Sequence, residues 1–336
     1  MTIDDGGVGG GAPPLSGPPA ALKPGVIPLR PLTLSDIFNA AFAYVRINPM
    51  ATLGLTTIVA IITQVIVLAV ASVTTWLVTG ETAALGRYGV GRAEIVSEVV
   101  TLLSLIVLTG MLTVVVGRAV FGATTTIGEA WARLRGRLLA LFGLILLGVT
   151  ALAAVVTICV VAIIFSTAAN PALGALLGMV VVPGLFVVLI YVGTVLSLAP
   201  PALVLERLSV LGSMRRSFAL VRRSFWRVFG IVLLAAVVAV VLAFAVARPF
   251  DFVGQVLESA GDKSAAWSLA GSAVLAVGTV IAQIITAPFM AGVVVLLYAD
   301  RRMRAEAFDL MLQTGMVVGP ELRTDSPDDL WLIRHP

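Results

Sequence analysis

The chain has one cysteine and one histidine in 336 residues, and it is poor in charge. A single thiol, Cys159, excludes an internal disulfide framework and any cysteine-based zinc cluster. The histidine, His335, is the penultimate residue, which leaves no imidazole in the body of the chain for proton transfer or metal ligation. Asp, Glu, Lys and Arg together make up 12% of the residues, about half the share of an ordinary soluble domain. Hydrophobic residues make up 59%, and the mean hydropathy is +1.08. This is the composition of an integral membrane protein. The chain also lacks a Walker loop, a Gly-x-Ser-x-Gly elbow and a His-Glu-x-x-His helix, so neither catalysis nor a cofactor is expected.

What the chain does have is one pattern written three times. Ala41-Phe42-Ala43-Tyr44-Val45-Arg46, Ala130-Trp131-Ala132-Arg133-Leu134-Arg135 and Ser217-Phe218-Ala219-Leu220-Val221-Arg222 each read small, aromatic, Ala, any residue, aliphatic, Arg. A glycine follows each arginine eight residues on, at Gly54, Gly143 and Gly230. Each copy leads into a long apolar run. The expectation is an all-α membrane protein of three repeats, each an amphipathic helix lying on the membrane followed by a hairpin that crosses it twice.

In chain order, residues 1–31 hold seven glycines and seven prolines without apolar periodicity, the signature of a disordered tail. No apolar signal core occurs in this stretch. Ser35 is expected to cap a helix from Asp36 to about Asn48, ended by Pro49. Uncharged runs over 53–77, 99–116, 138–165, a stretch from about 174 to Pro200-Pro201, 228–246 and 267–298 are each of a length to cross a bilayer. The segments 79–94 and 250–266 read as loops, and Pro183 predicts a kink in the fourth span. A charged helix over 300–312 follows the last span, and 313–336 reads as a second disordered tail. The membrane domain is thus 32–312, with repeats at about 34–121, 123–208 and 210–298.

The arginines set the topology. Eighteen of the 22 lysines and arginines fall on the two terminal segments and the second and fourth loops, and four on the remaining loops. This asymmetry predicts a plasma-membrane protein with both termini and all three amphipathic helices in the cytoplasm. The positive charge is accounted for without nucleic acid. The opposite loops are too short to form a domain, which directs any protein partner to the cytoplasm or the bilayer.

Two sets of residues are candidate sites. Arg215, Arg216, Arg222, Arg223 and Arg227 form a basic belt on the third amphipathic helix. They can hold anionic lipid headgroups or an acidic partner, or they can serve topology alone. Gln64 and Gln283 fall near the bilayer midplane, where an amide either lines a substrate path or bonds two spans together. Gly174 and Gly178 form a Gly-x-x-x-Gly suited to close helix packing. Pro183-Gly184 and Pro288 interrupt spans, as binding sites of transporters do, but no ionisable residue accompanies them. Glu129, Glu206, Asp300, Glu306 and Asp309 stand beside arginines and are read as capping or ion-pair partners. The apolar 330–333 in the C-terminal tail is a candidate docking segment.

Leu205-Glu206-Arg207, Met214-Arg215-Arg216-Ser217-Phe218, Phe225-Trp226-Arg227-Val228, Pro288-Phe289 and Leu297-Tyr298-Ala299-Asp300-Arg301-Arg302-Met303-Arg304-Ala305-Glu306-Ala307-Phe308-Asp309 carry a resemblance. Over roughly 28–312 the chain resembles the membrane domain that precedes the catalytic domain of some glycerophosphodiester phosphodiesterases, and stand-alone actinobacterial membrane proteins of the same kind. The resemblance implies a multi-span helical module in the plasma membrane without an established activity of its own. It does not imply phosphodiesterase chemistry, which needs a histidine-bearing barrel that this chain lacks. The expected role is that of a non-catalytic scaffold or accessory in envelope lipid processes, with small-molecule or lipid transport as the alternative.

Overall fold

The structure, a computed structural model, describes residues 31–80, 83–260, 265–306 and 331–332. The described residues are helical, without a strand, and six helices are long and apolar enough to cross a membrane. The first repeat comprises α1 (Leu34–Ile47), α2 (Leu55–Gly80) and α3 (Ala83–Ala119), with a π-helical turn at Met50–Gly54. The second comprises α4 (Ile127–Arg135), α5 (Leu138–Ala169), α6 (Pro171–Leu196) and the short α7 (Ala199–Leu205). The third comprises α8 (Val210–Arg222), α9 (Phe225–Ala260) and α10 (Ala265–Glu306). The chain is an all-α membrane protein built from three such units.

The helix ends differ from the sequence expectation in three places. Thr33, not Ser35, caps α1: its hydroxyl accepts from the Asp36 N–H, and the Asp36 carboxylate returns a bond to the Thr33 N–H. Reciprocal bonding satisfies two end-of-helix donors at once, whereas the Ser35 hydroxyl accepts from the Asn39 amide instead. The expected loop at 79–94 is mostly helix: α2 runs to Gly80 and α3 is helical from Ala83. The expected loop at 250–266 is helical up to Ala260, where α9 ends after running through Pro249, and again from Ala265 in α10. Packing explains the extension. A Cβ on Gly254 would lie 3.0 Å from the Gly271 carbonyl oxygen, and one on Gly278 2.6 Å from Phe250, so bare backbone lets α9 and α10 close on each other. The fourth span runs through Pro183 as one helix, α6, and Pro200 and Pro201 open α7, where a missing N–H is harmless. The expected tails lie outside the described residues except at Pro31, Trp331 and Leu332.

Gly174 serves the α5–α6 turn. A Cβ there would meet Thr167 Cα at 2.6 Å, and Gly178 faces Ile163 of the same hairpin. Asn170 starts α6 by accepting from the Ala172 and Leu173 N–H groups. This hairpin is the least buried pair of spans, while α3 and α10 are the most buried.

The three copies of the motif occupy equivalent environments. Its small residue is fully buried each time, as Ala41, Ala130 and Ser217. Its aromatic residue is half exposed each time: Phe42 45%, Trp131 44% and Phe218 43%. The buried face of each amphipathic helix sits on the second span of the preceding repeat. Leu134 of α4 fills the space left by Gly110 of α3, where a Cβ would be 2.6 Å away. Ser217 of α8 donates to the Val195 carbonyl of α6. The first helix completes the series by docking on the last span: Tyr44 donates to the Pro288 carbonyl at 2.5 Å, Phe42 stacks on Phe289 at 4.9 Å, and Gly292 leaves room for Ala41. The three repeats therefore close head to tail into a ring.

Candidate functional site

At each joint of this ring a charged residue ends the second span. Arg118 ends α3 and pairs with Glu129 of α4 at 3.3 Å. Glu206 follows α7 and pairs with Arg216 of α8 at 3.1 Å. Asp300 stands near the end of α10 and accepts from the Leu32 N–H at 2.9 Å, just ahead of α1. The polarity is reversed at the first joint, where the span supplies the cation. Of the carboxylates read from sequence as capping or ion-pair partners, Glu129, Glu206 and Asp300 thus hold the amphipathic helices in place; the Glu306 side chain and Asp309 lie outside the described residues.

Glu206 and Asp300 differ from Glu129 in being wholly buried, as their side chains are 0% exposed. A buried carboxylate is tolerable only with charged partners and a filled hydrogen-bond shell. Glu206 accepts from Arg216 Nε at 3.1 Å, from Arg216 Nη2 at 3.2 Å and from the Tyr298 hydroxyl, with Arg302 Nη1 3.4 Å away. Asp300 accepts from Arg301 at 2.5 Å and Arg304 at 2.8 Å, and Arg227 approaches to 3.7 Å. The Leu32 carbonyl accepts from Arg227 and Arg304 at 2.7 and 2.9 Å, tying the start of the domain to both. The charges of -Glu206-Arg207- and -Asp300-Arg301- were visible in sequence; their burial was not.

These networks divide the expected belt. Arg216 and Arg227 are engaged by Glu206, Asp300 and the Leu32 carbonyl. Arg215, Arg222 and Arg223 are exposed and have no partner among the described residues. The same holds for Arg46 and Arg135, the arginines that close the other two copies of the motif. Outside the spans, burial raises the Tyr44 phenol well above its usual value, so the hydroxyl stays a donor to Pro288 through the neutral and mildly alkaline range.

The two glutamines do not share a cavity. Gln283 lines a cavity of about 450 Å³ between α3, α7, α9 and α10, beside Thr109, Thr113, Pro200 and Pro201. The threonine hydroxyl of Thr113 is satisfied by its own helix, at the Thr109 carbonyl. Gln64 lies on α2 and does not line this cavity. Neither glutamine bonds to another described residue, so no interhelical amide bond glues these spans.

Trp331 was only part of a candidate docking segment in the sequence, yet it is buried in the core. Its indole N–H donates to the Gly117 carbonyl at 3.2 Å, and its own carbonyl accepts from Arg302 at 2.9 Å. Phe121 meets its ring edge-on at 5.3 Å. Four apolar residues in a polar tail were the signal.

The fold and these joints define a multi-pass helical membrane protein with a threefold internal repeat. No protein-family model, curated protein or solved structure matches the chain.

Proposed function

We propose that the chain is a non-catalytic protein of the plasma membrane, with both termini cytoplasmic, that engages anionic lipid at its cytoplasmic face and so organises a membrane process such as envelope lipid handling. One observation carries this reading. Each amphipathic helix presents a half-exposed aromatic residue and, four positions on, an exposed arginine without a partner among the described residues: Phe42 and Arg46, Trp131 and Arg135, Phe218 and Arg222. Residues four apart share a helix face. Aromatic rings favour the headgroup layer, and each arginine there attracts an anionic surface by about 1 kcal/mol. Arg215 and Arg223 add to the third copy. The resemblance to membrane domains of glycerophosphodiester phosphodiesterases agrees with a lipid-related role.

Replacing Arg46, Arg135, Arg215, Arg222 and Arg223 by Gln is expected to reduce several-fold the phosphatidylglycerol or cardiolipin that co-purifies with the protein, read by native mass spectrometry. Unchanged lipid retention at correct insertion would reduce these residues to topology determinants. A protein lost from the preparation in place of lipid would move the reading to an acidic partner.

The cavity beside Gln283 supports a second reading, passage of a small molecule or lipid. Under it, Gln283→Leu lowers flux in proteoliposomes while Gln64→Leu does not. Equal flux in both variants and the parent sinks it.

A further inference from the structure

The cavity beside Gln283 is walled by the second spans of all three repeats, with α9 as a further side. Its largest wall is α10, whose lining residues form two rows at four-residue steps: Gln283, Ala287 and Ala291, then Thr286, Met290 and Val294. Residues so spaced share one helix face. Ala239 and Ala243 line it from α9, and Pro200 and Pro201 bound it at the start of α7, on the side of the joints. Short side chains on two helices leave the space unfilled.

Gln283 lies near the middle of the last span, Ala266–Ala305. From Gln283 to Val294 the helix rises about 16 Å, roughly half of a hydrocarbon core about 30 Å thick. The cavity therefore reaches from the bilayer midplane toward the joints, through the depth of one leaflet. Its 450 Å³ spread over that length give a cross-section of about 28 Å², the width of one hydrocarbon chain. Leu105 of α3 and Val240 of α9 both line the cavity and are exposed at the surface of the spans. Its mouth thus opens between α3 and α9, toward lipid.

Among the described residues no ionisable side chain lines the cavity, so nothing there would neutralise a charged headgroup. Three of its hydroxyls are engaged by their own helices: Thr113 donates to the Thr109 carbonyl, Ser197 to Thr194 and Thr286 to Ala282, at 2.7, 2.8 and 2.9 Å. The Gln283 amide has no partner among the described residues. An amide left unpaired at membrane depth is costly, and its NH₂ group calls for an acceptor that the surrounding helices do not supply.

We infer that the cavity holds one chain of an uncharged lipid whose carbonyl oxygen accepts from the Gln283 amide. A phospholipid keeps its charge and its ester groups in the headgroup layer, away from the depth of Gln283. A lipid ester or ketone without a charged head has no such anchor, and its carbonyl can reach the midplane. The inference rests on the cavity of the second reading and names its occupant, but it requires no passage.

The test uses the full chain in phosphatidylcholine nanodiscs, with methyl oleate bearing a diazirine on its chain as the probe. After photolysis, mass spectrometry of peptides is expected to place the label on the lining stretches of α3 and α10. Unlabelled methyl oleate is expected to compete roughly tenfold better than octadecene, which has the chain without the ester, as one amide hydrogen bond in a dry site would give. Gln283→Leu puts an apolar side chain in an apolar span; it is expected to keep the label and lose the preference. Ala243→Phe fills the bore from α9 and is expected to lose the label at an unchanged thermal midpoint. Label outside the lining, a preference that survives Gln283→Leu, or label that persists in folded Ala243→Phe overturns the inference. Equal competition by the two compounds overturns it as well, and would describe a groove for phospholipid chains. Flux is read separately in proteoliposomes: labelling without flux supports the occupant and sinks only the passage.

Discussion

Asp300→Asn is expected to destabilise the protein by about 3–5 kcal/mol, the range for removing one partner of a buried ion pair. The amide is nearly the same size, and its oxygen can still accept from the Leu32 N–H. Its NH₂ group, however, would face guanidinium groups that now have nothing to neutralise them. Arg227 and Arg304 are 38% and 36% exposed and can turn toward water. Arg301, at 5%, cannot. The cost therefore concentrates on Arg301, whose other contact is the Ser224 hydroxyl. The measurement is the thermal midpoint in detergent, together with protease cleavage ahead of α1. A large drop that is partly restored by Arg301→Gln fits; a midpoint within experimental error of the parent would mean that Asp300 is not the counter-ion at this joint.

Glu206→Gln is expected to have an effect of similar size with a different reach. Glu206 lies 3.4 Å from Arg302, which is 3% exposed and also holds the Trp331 carbonyl. With the carboxylate gone, Arg302 loses one buried charge partner, and the donor that helps to seat Trp331 is held less firmly. In a chain whose other four tryptophans are Phe, iodide is expected to quench Trp331 emission more strongly in the variant than in the parent. Arg302→Met, introduced together with Glu206→Gln, is expected to recover stability, because an apolar side chain of similar length removes the buried charge. If it recovered none, the destabilisation would lie in the Tyr298 and Arg216 contacts instead.

The spans and the repeat were legible in the sequence for a physical reason. A bilayer imposes a length of apolar run, and a helix that lies on a surface imposes a 3.6-residue period. Both can be counted. The ends of α3 and α9 were not legible, because glycine and proline were read as breaks. In α9 and α10 the glycines instead allow contact between helices, and tertiary packing carries the chain through Pro249. Charge was legible in sign and side but not in burial. Nothing local distinguishes Arg216, held by Glu206, from its exposed neighbour Arg215. The difference arises only when α8 is laid on α7, with Arg216 turned inward and Arg215 outward. Arg207, whose φ is 55°, was likewise invisible as a left-handed position, since it lies in the turn between α7 and α8.

Seating each amphipathic helix on the repeat before it also dictates an order of events during synthesis. The seats of α4 and α8 are made just before the helices that need them, but Tyr44 leaves the ribosome 244 residues ahead of its acceptor, Pro288. Until α10 has inserted, α1 has no seat and Leu32 has no Asp300. A nascent chain of two repeats therefore carries an undocked helix at its front and an unoccupied seat at its rear, and the first helix to be made is the last to be placed.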